Sequence, residues 1–102
     1  MTVIMLQTMP EGMTLELLDQ VTREMGADTD PPAGLIVHTH FEEDGRIRIV
    51  DVWDSQEKYD SFAESRLMPA MQKVAAAQGM DMSQAPQMQT SVLKVHGLVK
   101  GR

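Results

Sequence analysis

The spacing of hydrophobic positions changes period several times along the chain, and each change predicts an element. Residues 2–8 are apolar and include β-branched side chains, which predicts a first strand, and Pro10-Glu11-Gly12 ends it. The period then lengthens: Leu15, Leu18, Val21 (or Thr22) and Met25 recur at helical spacing. Thr14 stands at the N-cap position, Met13 and Leu18 are placed as a hydrophobic staple, and Gly26 sits where a left-handed C-terminal residue belongs. A helix is therefore predicted over residues 15–25. Residues 28–34, with Pro31-Pro32, form a loop.

Alternation returns over residues 35–42, and Asp44-Gly45 is a strong two-residue hairpin turn leading into a strand over 46–53. Asp54 or Ser55 caps the next helix, and Asp54 with Glu57 resembles a capping box. Tyr59, Phe62, Ala63 and Leu67 give that helix an apolar stripe. Pro69 cannot occupy a helix interior, so it opens a second helical piece that carries Met71, Val74 and Ala75 inward as far as Gly79. A loop over 80–87 and a last strand over 89–99, with a candidate interruption at Gly97, complete the chain.

The order is β-α-β-β-α-β. An α+β ferredoxin-like arrangement satisfies it, with a four-stranded antiparallel sheet and both helices on one face. At 102 residues the chain is one domain, 1–102. Helices on one face leave the other bare, and a domain of this size needs a cover for an apolar face. A homodimer through the bare face is the expectation.

Counting outward from the turn gives candidate chemistry. Glu43 faces Arg46, His40 faces Ile49, His38 faces Asp51 and Ile36 faces Trp53. These inner residues share one face, because side chains alternate along a strand. The opposite face carries Leu35, Val37, Thr39 and Phe41 against Val50 and Val52, which reads as clean core and is expected under the helices. The first face is apolar with a few polar groups, the composition of a pocket wall.

The His38–Asp51 pair is the candidate catalytic pair. A carboxylate opposite an imidazole selects its tautomer and favours its charged form, which suits a general base or a substrate-orienting donor; a satisfied pair that pins the register is the structural alternative. Ile36, His40, Ile49, Trp53, Tyr59 and His96 are the candidate ligand-binding residues. Trp53 suits a core position or a stacking platform equally, while Tyr59 fits a core edge and His96 is a lone histidine on the last strand. His38-Thr39-His40 puts two imidazoles on one face, and His96 or Asp51 would supply a third metal ligand. His-x-His alone is a weak signal, and no metal is expected.

Composition narrows the partners. The formal charge is −6 with no cluster of Lys and Arg, so nucleic acid is not an expected partner. No apolar run approaches the ~20 residues that span a bilayer, and the N-terminus lacks a basic region and a small-residue cleavage site. No membrane association and no signal peptide are expected. Cysteine is absent, which rules out disulfides and thiolate chemistry and suits a cytoplasmic location. Ten methionines accompany one Trp, one Tyr and two Phe. Methionine fills irregular core gaps, and it also lines adaptable, greasy binding cavities. No nucleophile elbow, phosphate-binding glycine loop or dinucleotide fingerprint is present, and no cofactor is expected.

Gly34-Leu-Ile-Val-His38, Asp44-Gly45, Val50-Asp-Val-Trp-Asp-Ser55, Phe62 and Leu67-Met-Pro-Ala70 together resemble the dimeric α/β-barrel superfamily, in particular its small antibiotic-biosynthesis-monooxygenase-like domains. The resemblance covers roughly residues 2–100. The strand-Trp-acid-Ser-helix junction is its most specific element and marks a fold better than an activity. It implies a homodimer whose two sheets form a barrel, with a pocket within the barrel or between sheet and helices. Members of that superfamily include cofactor-independent oxygenases, haem-degrading enzymes, lactone isomerases and polyketide cyclases. The haem-degrading branch uses a Trp and a His on the helices that follow. Phe62 and Met71 stand at the matching positions here, so haem degradation is not expected.

Two functional readings follow. One is a small-molecule-binding dimeric barrel, a cofactor-independent monooxygenase or isomerase acting on an apolar cyclic or phenolic metabolite. The other is a non-catalytic binding or dimerisation module. A hollow space beside His38 favours the first; a face packed shut favours the second.

Overall fold

The computed structural model describes residues 1–10, 12–27, 29–79 and 88–101; the expected loop over 80–87 lies outside them. The central hairpin sets the frame. Asp44 and Gly45 have φ of 52° and 78°, the two left-handed residues that a tight hairpin turn requires. Strands β2 (Leu35–Glu43) and β3 (Arg46–Trp53) therefore pair with Glu43 opposite Arg46, His40 opposite Ile49 and His38 opposite Asp51, the register that counting outward from the turn predicts.

At the far end of β2 the count fails. Leu35, not Ile36, lies opposite Trp53, and Val37 lies opposite Val52, so Ile36 is an extra residue in a β-bulge. The chain enters β2 bent: Leu35 N donates to Pro32 O, Gly34 has φ of 88°, and Asp54 N donates to Gly34 O at 2.7 Å. These bonds hold the strand end, and the bulge absorbs the mismatch.

Strand β1 (Val3–Thr8) pairs with the other edge of β3, and β4 (Gln89–Lys94) pairs with β1. All pairings are antiparallel and the order is β2-β3-β1-β4. β4 stops at Lys94, short of the expected 99. Lys94 is opposite Val3, the first residue of β1, and one more bond, Val95 N to Thr2 O, follows.

Helix α1 (Leu15–Met25) begins where Thr14 Oγ1 accepts from Leu17 N and ends at Gly26, φ 69°. Helix α2 (Gln56–Phe62) is capped by Ser55, whose Oγ accepts from Lys58 N, while Asp54 instead pairs with Lys58 Nζ at 2.8 Å. A wide π-turn, Ala63–Leu67, leads into α3 (Met68–Ala77). Pro69 has no N–H to offer the carbonyl four residues back. The turn before it is widened, with Met68 N reaching Ala63 O, so the expected break at Pro69 becomes one rod with a wide turn. Arg66 projects from that turn to donate to Met25 O and Asp30 O, holding the end of α1.

The helices cover the face that carries Val3, Met5 and Gln7 of β1 and Ile47, Ile49, Asp51 and Trp53 of β3, all buried. Val3, Met5, Trp53 and Tyr59 form one cluster; Met9, Leu18, Ile47 and Ile49 form another. This reverses the expected assignment of faces. The face of Val37, Thr39, Phe41, Val50 and Val52 is the bare one, and Ile4, Leu6 and Leu93 extend it across β1 and β4. Val37, Phe41 and Leu93 are exposed there. The mixed face can be buried because its polar groups bond one another, which removes most of the cost of taking them out of water.

Candidate functional site

Between the covered sheet face and the helices lies a cavity of about 200 Å³. Its sheet side includes Gln7, His38, Ile49, Asp51 and Trp53, and its helix side includes Leu18, Val21, Tyr59, Phe62 and Leu67. Five methionines, Met9, Met13, Met25, Met71 and Met88, line it from five parts of the chain. The methionine excess thus has an address at a cavity wall, where an unbranched, polarizable side chain can adapt to an occupant.

The polar groups gather on the sheet side. Asp51 is 5% exposed. Its Oδ1 is 2.6 Å from His38 Nδ1, and its Oδ2 accepts from Trp53 Nε1 at 3.3 Å. An indole N–H can only donate and a carboxylate can only accept, so Asp51 as a carboxylate accepts at both oxygens and His38 Nδ1 carries the hydrogen. The other nitrogen, His38 Nε2, lies 3.0 Å from His40 Nδ1. Both nitrogens of His38 are therefore bonded within the protein. The acceptor with lone pairs to spare at the cavity is Asp51, and His38 is bonded to it.

Tyr59 lies at the opposite end of the polar group. It is buried, its ring stands edge-on to Trp53 at 5.5 Å, and its hydroxyl accepts from Gln7 Nε2 at 2.7 Å. Burial, aided by the nearby negative charge of Asp51, pushes the phenol pKa up against the opposing pull of the Gln7 hydrogen bond. Tyr59 is thus a neutral O–H near neutral pH, with its proton available to an acceptor in the cavity. Trp53 packs against Phe62 as well, at 5.3 Å, and is 1% exposed. It is both core and cavity wall.

His38, Asp51, Ile49, Trp53 and Tyr59 are thus brought together at the cavity. Ile36 is not: the bulge removes it from that wall and Leu35 takes its place. His40 stands one position out, bonded to His38 and 3.7 Å from Asp19 of α1. His96 is exposed beyond the end of β4, on the sheet edge opposite β2, and takes no part. Among the described residues no three His, Asp or Glu side chains are grouped to hold a metal ion. Gln7 is the polar residue that sequence reading missed. A glutamine in step with Val3 and Met5 on one face of a strand was the available signal.

No family model matches the chain, and no curated protein matches it. Solved structures do. The Mycobacterium tuberculosis protein Rv0793 is 15% identical, with 97% of this chain and 98% of that one covered and a TM-score of 0.61. SnoaB, a cofactor-independent oxygenase from Streptomyces nogalater, is 14% identical, with 98% of each chain covered and a TM-score of 0.62. An antibiotic biosynthesis monooxygenase is 10% identical over 95% of this chain and all of its own, with a TM-score of 0.60. At such identities the likeness is one of architecture, and over nearly its whole length this chain has the ferredoxin-like α+β fold of antibiotic biosynthesis monooxygenase structures.

Proposed function

We propose that this protein binds a small, flat, largely apolar phenolic metabolite between its sheet and helices and acts on it as a cofactor-independent monooxygenase. The observation that carries the reading is the placing of Asp51, bonded to His38, and Tyr59 at the wall of a cavity otherwise lined by Met, Leu and aromatic side chains. A cavity of about 150 Å³ is enough for benzene, so a single substituted ring is matched to the space of about 200 Å³ here. Asp51 accepts the phenol's proton, Tyr59 donates to a second oxygen on the ring, and Trp53 offers its face for stacking. An electron-rich phenolate reacts with dioxygen: a ring C–H becomes C=O with one oxygen atom, and the other oxygen leaves as water with the hydrogens of that C–H and of the phenol O–H. The product is a quinone, and the substrate itself supplies all four electrons. The name of SnoaB supports this reading through the shared fold, and site geometry must carry the rest.

The protein works as a homodimer through the bare sheet face. Val37, Phe41 and Leu93 are exposed there, and an apolar face of this extent is covered when a second sheet packs on it.

The test is a thermal-shift screen of substituted phenols, quinones and nucleotides with wild type and His38→Ala, followed by oxygen consumption with each binder. Phenols should stabilise wild type and lose that effect in His38→Ala, and at least one should consume oxygen. Stabilisation by nucleotides, or by phenols equally in both proteins, overturns the proposal. Phenol binding without oxygen uptake leaves a binding module.

A further inference from the structure

His38 and His40 are two residues apart on β2, so their rings share one face of the sheet and lie 5.2 Å apart, centre to centre. Each ring has a carboxylate at its far nitrogen. Asp51 Oδ1 is 2.6 Å from His38 Nδ1, and Asp19 Oδ1, from the first half of α1, is 3.7 Å from His40 Nε2. The two remaining nitrogens, His38 Nε2 and His40 Nδ1, face each other at 3.0 Å. Both rings reach solvent: the side chain of His38 is 35% exposed and that of His40 is 26% exposed.

A carboxylate at one ring nitrogen draws the hydrogen there and leaves a lone pair on the other. Asp51 acts in this way on His38, and Asp19 favours the same arrangement in His40. Two lone pairs are thereby brought to one contact, and at 3.0 Å they repel unless a positive centre lies between them. In the free chain that centre is a hydrogen. A metal ion can replace it, because two nitrogens ~2.0–2.1 Å from one ion, at square-planar to tetrahedral angles, stand about 2.8–3.4 Å apart. Histidines that ligate metals characteristically pass their other N–H to a carboxylate, which fixes the ring and raises the basicity of the ligating nitrogen. His-x-His is a weak signal in a sequence; a carboxylate behind each ring is what the fold adds.

We infer that His38 Nε2 and His40 Nδ1 form a binding site for a divalent d-block cation, Cu²⁺ above all, with Asp51 and Asp19 as the carboxylates that set the two rings. Both carboxylates face the far nitrogens and not the ion, so the protein supplies two ligands, in keeping with the absence of a group of three among the described residues. Water completes the shell, which the exposure of both rings permits. Two neutral imidazoles at adjacent coordination positions suit the tetragonal geometry of Cu²⁺, which also heads the affinity order of the divalent series. The hydrogen in the contact leaves His40 Nδ1, and the ring holds one on Nε2 beside Asp19; no oxidation state changes. His38 lines the cavity and His40 does not, so the ion sits at the rim, outside the space proposed for a phenol. The proposed oxygenation needs no metal, and the two readings fail separately.

The test uses the full chain without any phenol. Calorimetric titration with Cu²⁺ in a buffer that does not chelate should show one ion per chain, and the electron paramagnetic resonance of that ion should carry the splitting of two imidazole nitrogens. His40→Ala, at a partly exposed position outside the core, should lower the affinity by about tenfold or more, and Asp51→Asn by about tenfold, because His38 loses the carboxylate that sets it. Where Asp51→Asn fails to fold, Asp19→Asn, an exposed change, should weaken binding by a smaller factor. His96→Ala, at an exposed histidine away from the site, should leave the affinity unchanged, and Zn²⁺ should compete for the same site more weakly. No binding by wild type, an ion held by fewer than two imidazoles, unchanged affinity in His40→Ala, or an equal loss in His96→Ala overturns the inference.

Discussion

The two faces of the sheet come from the same four strands and differ in what they can tolerate. The covered face holds the largest of the fully buried side chains, Trp53, Met5 and Ile47. It also holds Gln7, Asp51 and His38, each satisfied by a named partner. The bare face carries Val, Phe, Ile and Leu side chains together with Thr39 and the Arg48–Glu43 ion pair, yet no element of this chain covers it among the described residues. Apolar purity is thus a poor guide to which side faces a domain's own helices. A face with paired polar groups can be core and site at once, whereas a plain apolar face suits a flat surface from another copy.

Three changes sharpen that contrast. The largest effect belongs to Trp53→Ala on the covered face. Removing an indole that contacts Tyr59 and Phe62 should cost about 3–5 kcal/mol in chemical denaturation. A loss near zero would mean that the face is loosely packed. Tyr59→Phe is next: Gln7 Nε2 loses its acceptor, at a cost of about 1–3 kcal/mol, and the pH profile changes in a defined direction. Burial raises the Tyr59 pKa in the folded state, so the stability this group contributes is fully present below the unfolded-state value of ~10 and declines as pH rises from there through the folded-state value. Tyr59→Phe should flatten that alkaline decline, measured by denaturation between neutral and alkaline pH; an unchanged slope would count against a buried phenol.

The smallest effect on unfolding of the single chain is expected on the bare face. Phe41→Glu should change it by about 0.5 kcal/mol or less, yet sedimentation equilibrium at micromolar concentration should move from dimer to monomer. A wild type that sediments only as monomer would remove the dimer and leave the bare face unexplained.

Local chemistry was the legible part of the sequence. The two-residue turn fixed the hairpin register, so His38 opposite Asp51 followed by counting, and side-chain oxygens marked the starts of α1 and α2. The choice of face was not legible, because alternation separates two sets of residues without saying which set meets the helices. The bulge at Ile36 was hidden as well: it depends on the bond from Asp54 N to Gly34 O, between residues twenty positions apart. The link from His38 to His40 depends on ring orientation, which strand parity does not specify. Gln7 acquires its role from Tyr59, fifty-two positions away.

The π-turn at Ala63–Leu67 has a consequence for how the chain can change its length. It holds one residue more than a regular helical turn, and each residue turns a regular helix by about 100°. A single deletion there would re-phase everything downstream by that angle, swinging Met71 off the cavity wall and Ala75 out of the core while the fold's outline stayed the same. Cavity shape is therefore set in part by a count of backbone atoms at a distance from the polar groups, and an insertion or deletion in this one turn would be a blunter way to re-tune the occupant than any substitution of the lining.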